Sequence, residues 1–365
     1  MPFCPNCGTQ YVEVPPRCGC GYLFGSSVNP VSEFGAPVDS PRFVPPTEAP
    51  PRVEGRFAFD GKGMDLLLLY VQNFILTLLT LGIYSFWGTT EVRKFYWRHM
   101  SFAGQRFEYH GTGKELFVGF LKYLGLLLVW ALLVGFLIAM TGEKGDSPYM
   151  LLIYLPWVIL LPFGIHGAFR YRASRTSWQG RRFIYRGDLM ELVKVFWIGA
   201  LLTIVTLTFY LPFFIISLRK FFFENLTYGG HKFTFAGEGK DLVPDYLKTV
   251  LLFLPTLTLV RFWWEAKQNN YSWDRTTFAG APFRSTIEGK QLLIYGLLKV
   301  VGGLMTLGIL VPFIECEQVK YVFGNLWMPQ LPAVNLSAPS PDADGADALG
   351  EVLSADVDMG DGFGL

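Results

Sequence analysis

Four of the five cysteines fall within the first 20 residues, as Cys4-Pro-Asn-Cys7-Gly and Cys18-Gly-Cys20-Gly. Four thiolates can close a tetrahedral, structural zinc site. The first pair has the two intervening residues usual in a zinc ribbon, and the second has one. Gly8 and Gly21 supply permissive backbone after each pair. Two disulfides or four free thiols are the other possible states. A stretch this short cannot build a core and needs a staple. Disulfides need an oxidising compartment, and the opening MPFCPNCG lacks the basic-then-apolar pattern of an export signal. The expectation is a structural zinc on Cys4, Cys7, Cys18 and Cys20. Cys316, at the end of an apolar run, reads as a packed side chain.

Two other sets of residues could bind something charged. Gly111-Thr-Gly113-Lys114, Gly237-Glu-Gly239-Lys240 and Gly289-Lys290 each follow a strand-like phrase and open a helix. A helix N-terminus with a lysine beside it attracts phosphate, at a membrane surface that of a lipid head group. The plainer reading is a tight turn with a lysine in water; the nucleotide loop GxxxxGK[ST] is absent. Asp245, Lys248 and Arg261 sit in or near an apolar run, where ionisable groups are functional candidates by default. Snorkelling lysines are the competing reading. The histidines His99, His110, His166 and His231 are scattered, and His166 reads as packed or hydrogen-bonded. No constellation supports an enzyme, and nothing points to nucleic acid.

The elements that position these residues repeat. Phe57, Phe107, Phe183, Phe233 and Phe283 open one phrase, at separations of 50, 76, 50 and 50 residues. Its full form is Ser/Thr-aromatic-x-Gly-x-x-Phe-x-aromatic, which reads as a β-hairpin about a glycine turn. A period near 50 marks an array. Such a short ribbon must lean on something apolar, and the membrane interface suits its Trp and Tyr. After each phrase comes an apolar run. Thr80, Thr206, Thr256 and Thr306 stand 23 residues after four of the phenylalanines, each followed by leucine. There the helix loosens, with Gly82, Pro212, Gly308 and Pro312 beyond it. The 76-residue interval lacks that pair and holds one added apolar run.

Hydrophobic residues make up 51% and charged residues 17% of the 365, with a mean hydropathy of +0.32. That is too apolar for an ordinary soluble domain. Membrane-length windows lie near 65–87, 116–140, 149–168, 190–217, 242–264 and 291–314, and a crossing needs about 20 apolar residues. Residues 56–320 carry 28 basic against 18 acidic side chains, as cytoplasmic membrane loops do. The expected architecture is a mainly α, polytopic membrane protein. It has about six membrane helices, with short interfacial β-hairpins in internal repeats and a small N-terminal zinc ribbon. The ribbon spans 1–25, a disordered proline-rich linker 26–55, the repeat-built membrane domain 56–328 and a disordered acidic tail 329–365.

Thr80-Leu-Gly-Ile-Tyr84, the basic aromatic stretch after it and Gly104-x-x-Phe-x-Tyr-x-Gly-x-Gly113 resemble the YjgN-type family of bacterial inner-membrane proteins, a domain of unknown function. The resemblance covers about 56–328 and implies an inner-membrane location; the apolar runs make the expected location multi-pass. Sidedness is open: single crossings would alternate the repeats between faces, although all the repeat loops are basic. Reversal of the chain at Thr-Leu-Gly is the alternative, but the limb from Ile83 has only about eight apolar residues. A cytoplasmic ribbon is expected. Two functions follow: solute, ion or lipid handling by the repeat-built bundle, or a scaffold or sensor whose ribbon binds a protein partner.

Overall fold

In the computed structural model, residues 55–141, 152 and 155–331 are described, all within the second of two units into which the chain divides, Pro51–Leu365. The cysteine pairs, the linker up to Glu54 and the tail from residue 332 lie outside the described residues.

The repeat is a strand–helix–helix–strand unit, present five times. The first is β1 (Gly55–Phe59), α1 (Gly63–Leu79), α2 (Ser85–His99) and β2 (Met100–Phe102). The second is β3 (Gln105–Tyr109), α3 (Gly113–Thr141), α4 (Leu155–Arg175) and β4 (Thr176–Trp178). The third has β5 (Arg181–Arg182) and β6 (Ile184–Tyr185), then α5 (Leu189–Val205), α6 (Leu211–Glu224) and β7 (Leu226–Tyr228). The fourth runs β8 (His231–Phe235), a 3-10 turn (Gly239–Leu242), α7 (Val243–Phe253), α8 (Arg261–Asp274) and β9 (Thr276–Phe278). The fifth is β10 (Ala281–Pro282) and β11 (Arg284–Ser285), α9 (Gly289–Thr306), α10 (Val311–Gly324) and β12 (Leu326–Met328).

Neighbouring units are joined by two-residue turns with both residues at positive φ. The pairs are Ala103-Gly104, Gln179-Gly180, Gly229-Gly230 and Ala279-Gly280. This is the hairpin turn whose twist matches flanking strands, and the glycine takes the second left-handed position. Every pairing is antiparallel. The ladders run β11-β12-β1-β2-β3-β4-β5 and β10-β9-β8-β7-β6. β5 and β6 are one strand interrupted at Phe183, and β10 and β11 are one strand interrupted at Phe283. The two sheets therefore share both outer strands and close into a ring. Closure removes the open edges that short strands would otherwise expose. The hairpins lean on one another, rather than singly on a membrane interface.

Four of the apolar runs are not single helices. Each reverses at the threonine. Thr80 Oγ1 donates to the Leu76 carbonyl at 2.7 Å and accepts the Tyr84 N–H at 2.9 Å. Thr206, Thr256 and Thr306 do the same with Leu202 and Tyr210, Leu252 and Val260, and Gly302 and Leu310. One hydroxyl thus caps the end of one helix and the start of the next. Leu81, Leu207, Leu257 and Leu307 follow in the left-handed region, at φ 48–51°. Pro212 and Pro312 then sit in the first turn of the return helices, where proline costs no hydrogen bond. The outgoing helix packs on its return partner, as Asn73 Nδ2 does on the Gly88 carbonyl at 3.2 Å.

The expectation of about six membrane helices is met in one case only. Among the described residues Gly113–Met140 alone is long and apolar enough to cross a membrane. α1, with 17 residues, is about 25 Å long before it turns. Reversal also settles how the repeats are oriented: all strands lie at one end of the hairpins.

Thr206→Val keeps the side-chain shape and removes the hydroxyl, so it should lower stability by about 1–2 kcal/mol. Leu207→Gly should raise it by about 1 kcal/mol by relieving left-handed strain. Thermal unfolding of the detergent-solubilised chain, followed by circular dichroism, reads both changes.

Candidate functional site

Alternation along each strand sends every second residue into the ring. The five opening phenylalanines all face inward. Phe57 lies 6.3 Å from Phe107 and 6.5 Å from Phe283, and Phe233 lies 6.5 Å from Phe183 and 6.4 Å from Phe283. A second layer comes from the neighbouring strands: Phe102, Trp178, Tyr228, Phe278 and Met328, each at most 8% exposed. Together they bound a cavity of about 180 Å³ on the ring axis. Its helical wall comes from the last turns of the return helices, including Trp97, Phe169, Phe222 and Trp273. The polar ends of the aromatics are satisfied by the protein itself. Tyr228 Oη donates to the Trp178 carbonyl at 2.7 Å, Trp178 Nε1 to the Gln105 carbonyl at 3.2 Å, and Trp97 Nε1 to Thr176 Oγ1 at 3.0 Å. Burial pushes the Tyr228 phenol up to about 12, so it stays neutral. The chamber is aromatic, with Arg172 and Thr176 as polar members of its wall. Nearby, Arg219 is 1% exposed and stacks on Phe223 and Trp273 at 4.8 and 5.0 Å, the cation–π contact that lets an aromatic core hold a guanidinium.

The glycines beside the candidate lysines have packing roles. A Cβ on Gly63, Gly113, Gly239 or Gly289 would stand 2.6 Å from the Cα of Phe313, Trp87, Phe213 or Trp263. Each therefore admits the backbone of the preceding unit's return helix, and the pair Gly63–Phe313 joins the fifth unit to the first. Lys240 forms an ion pair with Glu238, which raises its ammonium above the ordinary lysine value. Lys114 and Lys290 pair with no acidic side chain among the described residues. Below them a tyrosine of the return helix closes each loop. Tyr271 Oη lies 2.7 Å from the Glu238 nitrogen and from Asp241 Oδ2; Tyr321 Oη accepts the Glu288 N–H at 2.9 Å. In the second unit Tyr171 and Arg175 hold Glu115 at 2.9 and 2.6 Å, and Thr112 and Glu115 form a capping box.

A family described as "Bacterial protein of unknown function (DUF898)" matches residues 54–261 and 249–355. The chain belongs to the DUF898 family. Relatives of this DUF898 chain include "Inner membrane protein YjgN" of Escherichia coli O157:H7, 31% identical over 150 residues, which is 41% of this chain and 35% of that protein. The protein of the same name from Escherichia coli strain K12 is 32% identical over 142 residues, 39% and 32% of the two chains. That of Salmonella typhimurium is 29% identical over 125 residues, 34% and 30%. The DUF898 chain thus spans about a third of the length of these relatives. No solved structure matches it.

The DUF898 fold brings Asp245 and Lys248 together and leaves Arg261 apart. Asp245 lies 3.6 Å from Lys248 and 3.5 Å from Lys267. Arg261 is at the far end of the same hairpin, over the Phe262 ring. Lys267 carries no sequence signal of its own, because it meets Asp245 only through the reversal at Thr256. The same holds for a cluster at the seam between the fifth and first units. There Glu315 accepts from Tyr70 at 2.8 Å and Tyr96 at 3.4 Å, with Lys299 at 3.9 Å. His166 Nε2 donates to the Gly187 carbonyl at 2.9 Å, and Cys316 is buried and free, both in keeping with packed roles. Cys4, Cys7, Cys18 and Cys20 lie outside the described residues.

Gly239→Ala drives a methyl into the Phe213 backbone and should cost about 1–3 kcal/mol. Lys240→Gln should leave stability within about 0.5 kcal/mol. Chemical denaturation of the detergent-solubilised protein separates a packing glycine from a ligand-binding loop.

Proposed function

We propose that this protein is an integral protein of the bacterial inner membrane that handles a small apolar or amphiphilic molecule through the axial aromatic chamber. The observation that carries the membrane reading is the far end of the hairpins. Leu81 is 94% exposed, Leu207 79%, Leu257 81% and Leu307 95%, with exposed Leu, Val, Ile and Phe down the outer faces of the helices. Contiguous apolar surface on this scale marks a buried or membrane-facing region. The reversals keep backbone groups paired within the hairpin, as an apolar solvent demands. The names of the relatives support the same location.

On this reading four hairpins enter from one face and turn back. The α3–α4 hairpin crosses, α3 being about 43 Å long. The strand ring and its basic loops lie on the cytoplasmic side, following the bias of Lys and Arg. That sidedness gives the four cysteines a reducing compartment, in which thiolates hold zinc; the purified full chain should carry about one zinc per chain, lost in Cys4→Ser/Cys7→Ser, by elemental analysis. The chamber favours an apolar group over an ion: an apolar cavity of about 150 Å³ stays dry and takes a benzene ring.

Topology is tested with an impermeant maleimide, in a chain whose native cysteines are replaced. Lys232→Cys on β8 should label from the cytoplasmic face and Met140→Cys from the opposite face. Leu81→Cys should label from neither until detergent is added. Labelling of Leu81→Cys from the periplasm would rule out the embedded hairpin. For the chamber, Ala173→Leu should fill the space and reduce co-purified apolar small molecules, read by mass spectrometry, without lowering stability by more than about 3 kcal/mol. Unchanged small-molecule content would discard the chamber.

A further inference from the structure

The fourth unit departs from the repeat at one place on its lipid-facing side. Twelve residues after the opening phenylalanine stand Leu69, Val195 and Tyr295 in the first, third and fifth units, but Asp245 in the fourth. Fifteen after it stand Gln72, Ile198 and Leu298 in those units, but Lys248 in the fourth, a lysine shared only with Lys122 of the second unit. Eleven after the reversing threonine stand Glu91, Ser217 and Glu317, but Lys267. The hairpin of the fourth unit brings these three residues together, at 3.6 and 3.5 Å.

The same unit is also splayed. Where α1 meets α2, and where α5 meets α6, a glycine admits the partner. A Cβ on Gly199 would lie 2.1 Å from the Phe214 ring, and one on Gly88 3.2 Å from Asn73. At the matching positions the fourth unit has Thr249 and Trp264 and the fifth has Lys299 and Ile314, with no glycine on either side. Its outgoing limb opens with the 3-10 turn Gly239–Leu242 and continues without a break as the 11-residue α7. Between α7 and α8 lies an open groove of about 840 Å³, reaching Leu293 of α9. That volume lies within the range of ligand sites.

The groove has a polar end and an apolar end. Asp245, Lys248 and Lys267 stand near the strand ring, and Leu252, Leu257 and Val260 line the part near the tip. Two ammonium groups against one carboxylate leave a net positive charge. Each lysine has three donors, so the bond to Asp245 leaves others free for an anion. The order from base to tip matches a lipid of the leaflet that the hairpin enters: phosphate level first, then chain. A free anion would not use the leucine wall, and an apolar helix of a second copy would leave the charges unmatched. We infer that the α7–α8 groove is a binding site for one anionic glycerophospholipid, with its phosphodiester on Lys248 and Lys267 and an acyl chain along the Leu252–Val260 wall. This rests on the hairpins lying in the bilayer, a reading that the labelling experiment tests separately.

The test uses the full chain, delipidated and returned to mixed micelles with 1-palmitoyl-2-oleoyl phosphatidylglycerol or the phosphatidylcholine of the same chains. Native mass spectrometry counts retained lipid. One phosphatidylglycerol should be held in preference to phosphatidylcholine. Lys248→Gln/Lys267→Gln should reduce its retention by roughly fivefold or more, since each basic residue at a charged lipid surface contributes about that factor. Those side chains are 73% and 57% exposed, so the variant should fold. Leu252→Trp, which narrows the apolar end, should reduce retention as well. Lys114→Gln/Lys290→Gln should leave it unchanged. Unaltered retention in the lysine variant, or an equal loss in Lys114→Gln/Lys290→Gln, would overturn the site. Displacement by inorganic phosphate with no effect of Leu252→Trp would assign a free-anion site and overturn it too.

Discussion

In four of the five units, what stands above the strand ring depends on a threonine hydroxyl that serves two helices at once. At Thr80, Thr206, Thr256 and Thr306 the Oγ1 takes a backbone N–H from the returning helix while donating to a carbonyl of the outgoing one. A chain that ends one helix and starts another within a few residues leaves backbone groups at both ends that need partners. The left-handed leucine that follows costs about 1–2 kcal/mol, and the tight turn needs it. Because the chain comes back, each unit delivers both of its strands to the same end. Only then can β12 pair with β1, Gly55 opposite Met328.

Ring closure in turn explains why the phrase is so aromatic. Each strand contributes two or three inward positions, so ten short strands must fill an axis with large rings. Phe57 touches Phe102 at 4.6 Å, Phe233 touches Phe278 at 4.7 Å and Phe183 touches Tyr228 at 4.8 Å. The repeating contact joins the opening phenylalanine of one phrase to the aromatic of a neighbouring strand. The second unit shows what the ring tolerates. Its hairpin is longer and lacks the threonine reversal, yet β3 and β4 pair in the same register, Phe107 opposite Trp178. The ring constrains the base of each unit and leaves its height free.

Much of this was legible in the chain. The opening phenylalanines, the turn glycines and the loosening at threonine each have a local cause, in alternation, positive φ and capping. Eight apolar residues after Ile83 are too few to span, which in sequence argues against a reversal. They do not have to span when the limb comes back to a ring on the same side. What was hidden is contact across a reversal. Asp245 and Lys248 are neighbours on one helix, and their spacing is visible; Lys267 lies on the other limb and leaves no mark. The glycines beside Lys114, Lys240 and Lys290 suggested an anion because a phosphate loop and a helix crossing both need a residue without Cβ. Only the position of the Trp87, Phe213 and Trp263 backbones distinguishes the two.

A repeat protein closed into a ring separates constraint from freedom. Inward strand positions and the crossing glycines must fit a neighbour whose own neighbour is fixed, so they stay alike around the circle. Outward helix positions meet only the surroundings and can diverge unit by unit. The polar groups follow that division. Glu315 with Tyr70, Tyr96 and Lys299 ties the fifth unit to the first, the one seam that closes the circle rather than continuing it. Asp245, Lys248 and Lys267 face outward on the fourth unit, where the other units carry mostly apolar or uncharged side chains.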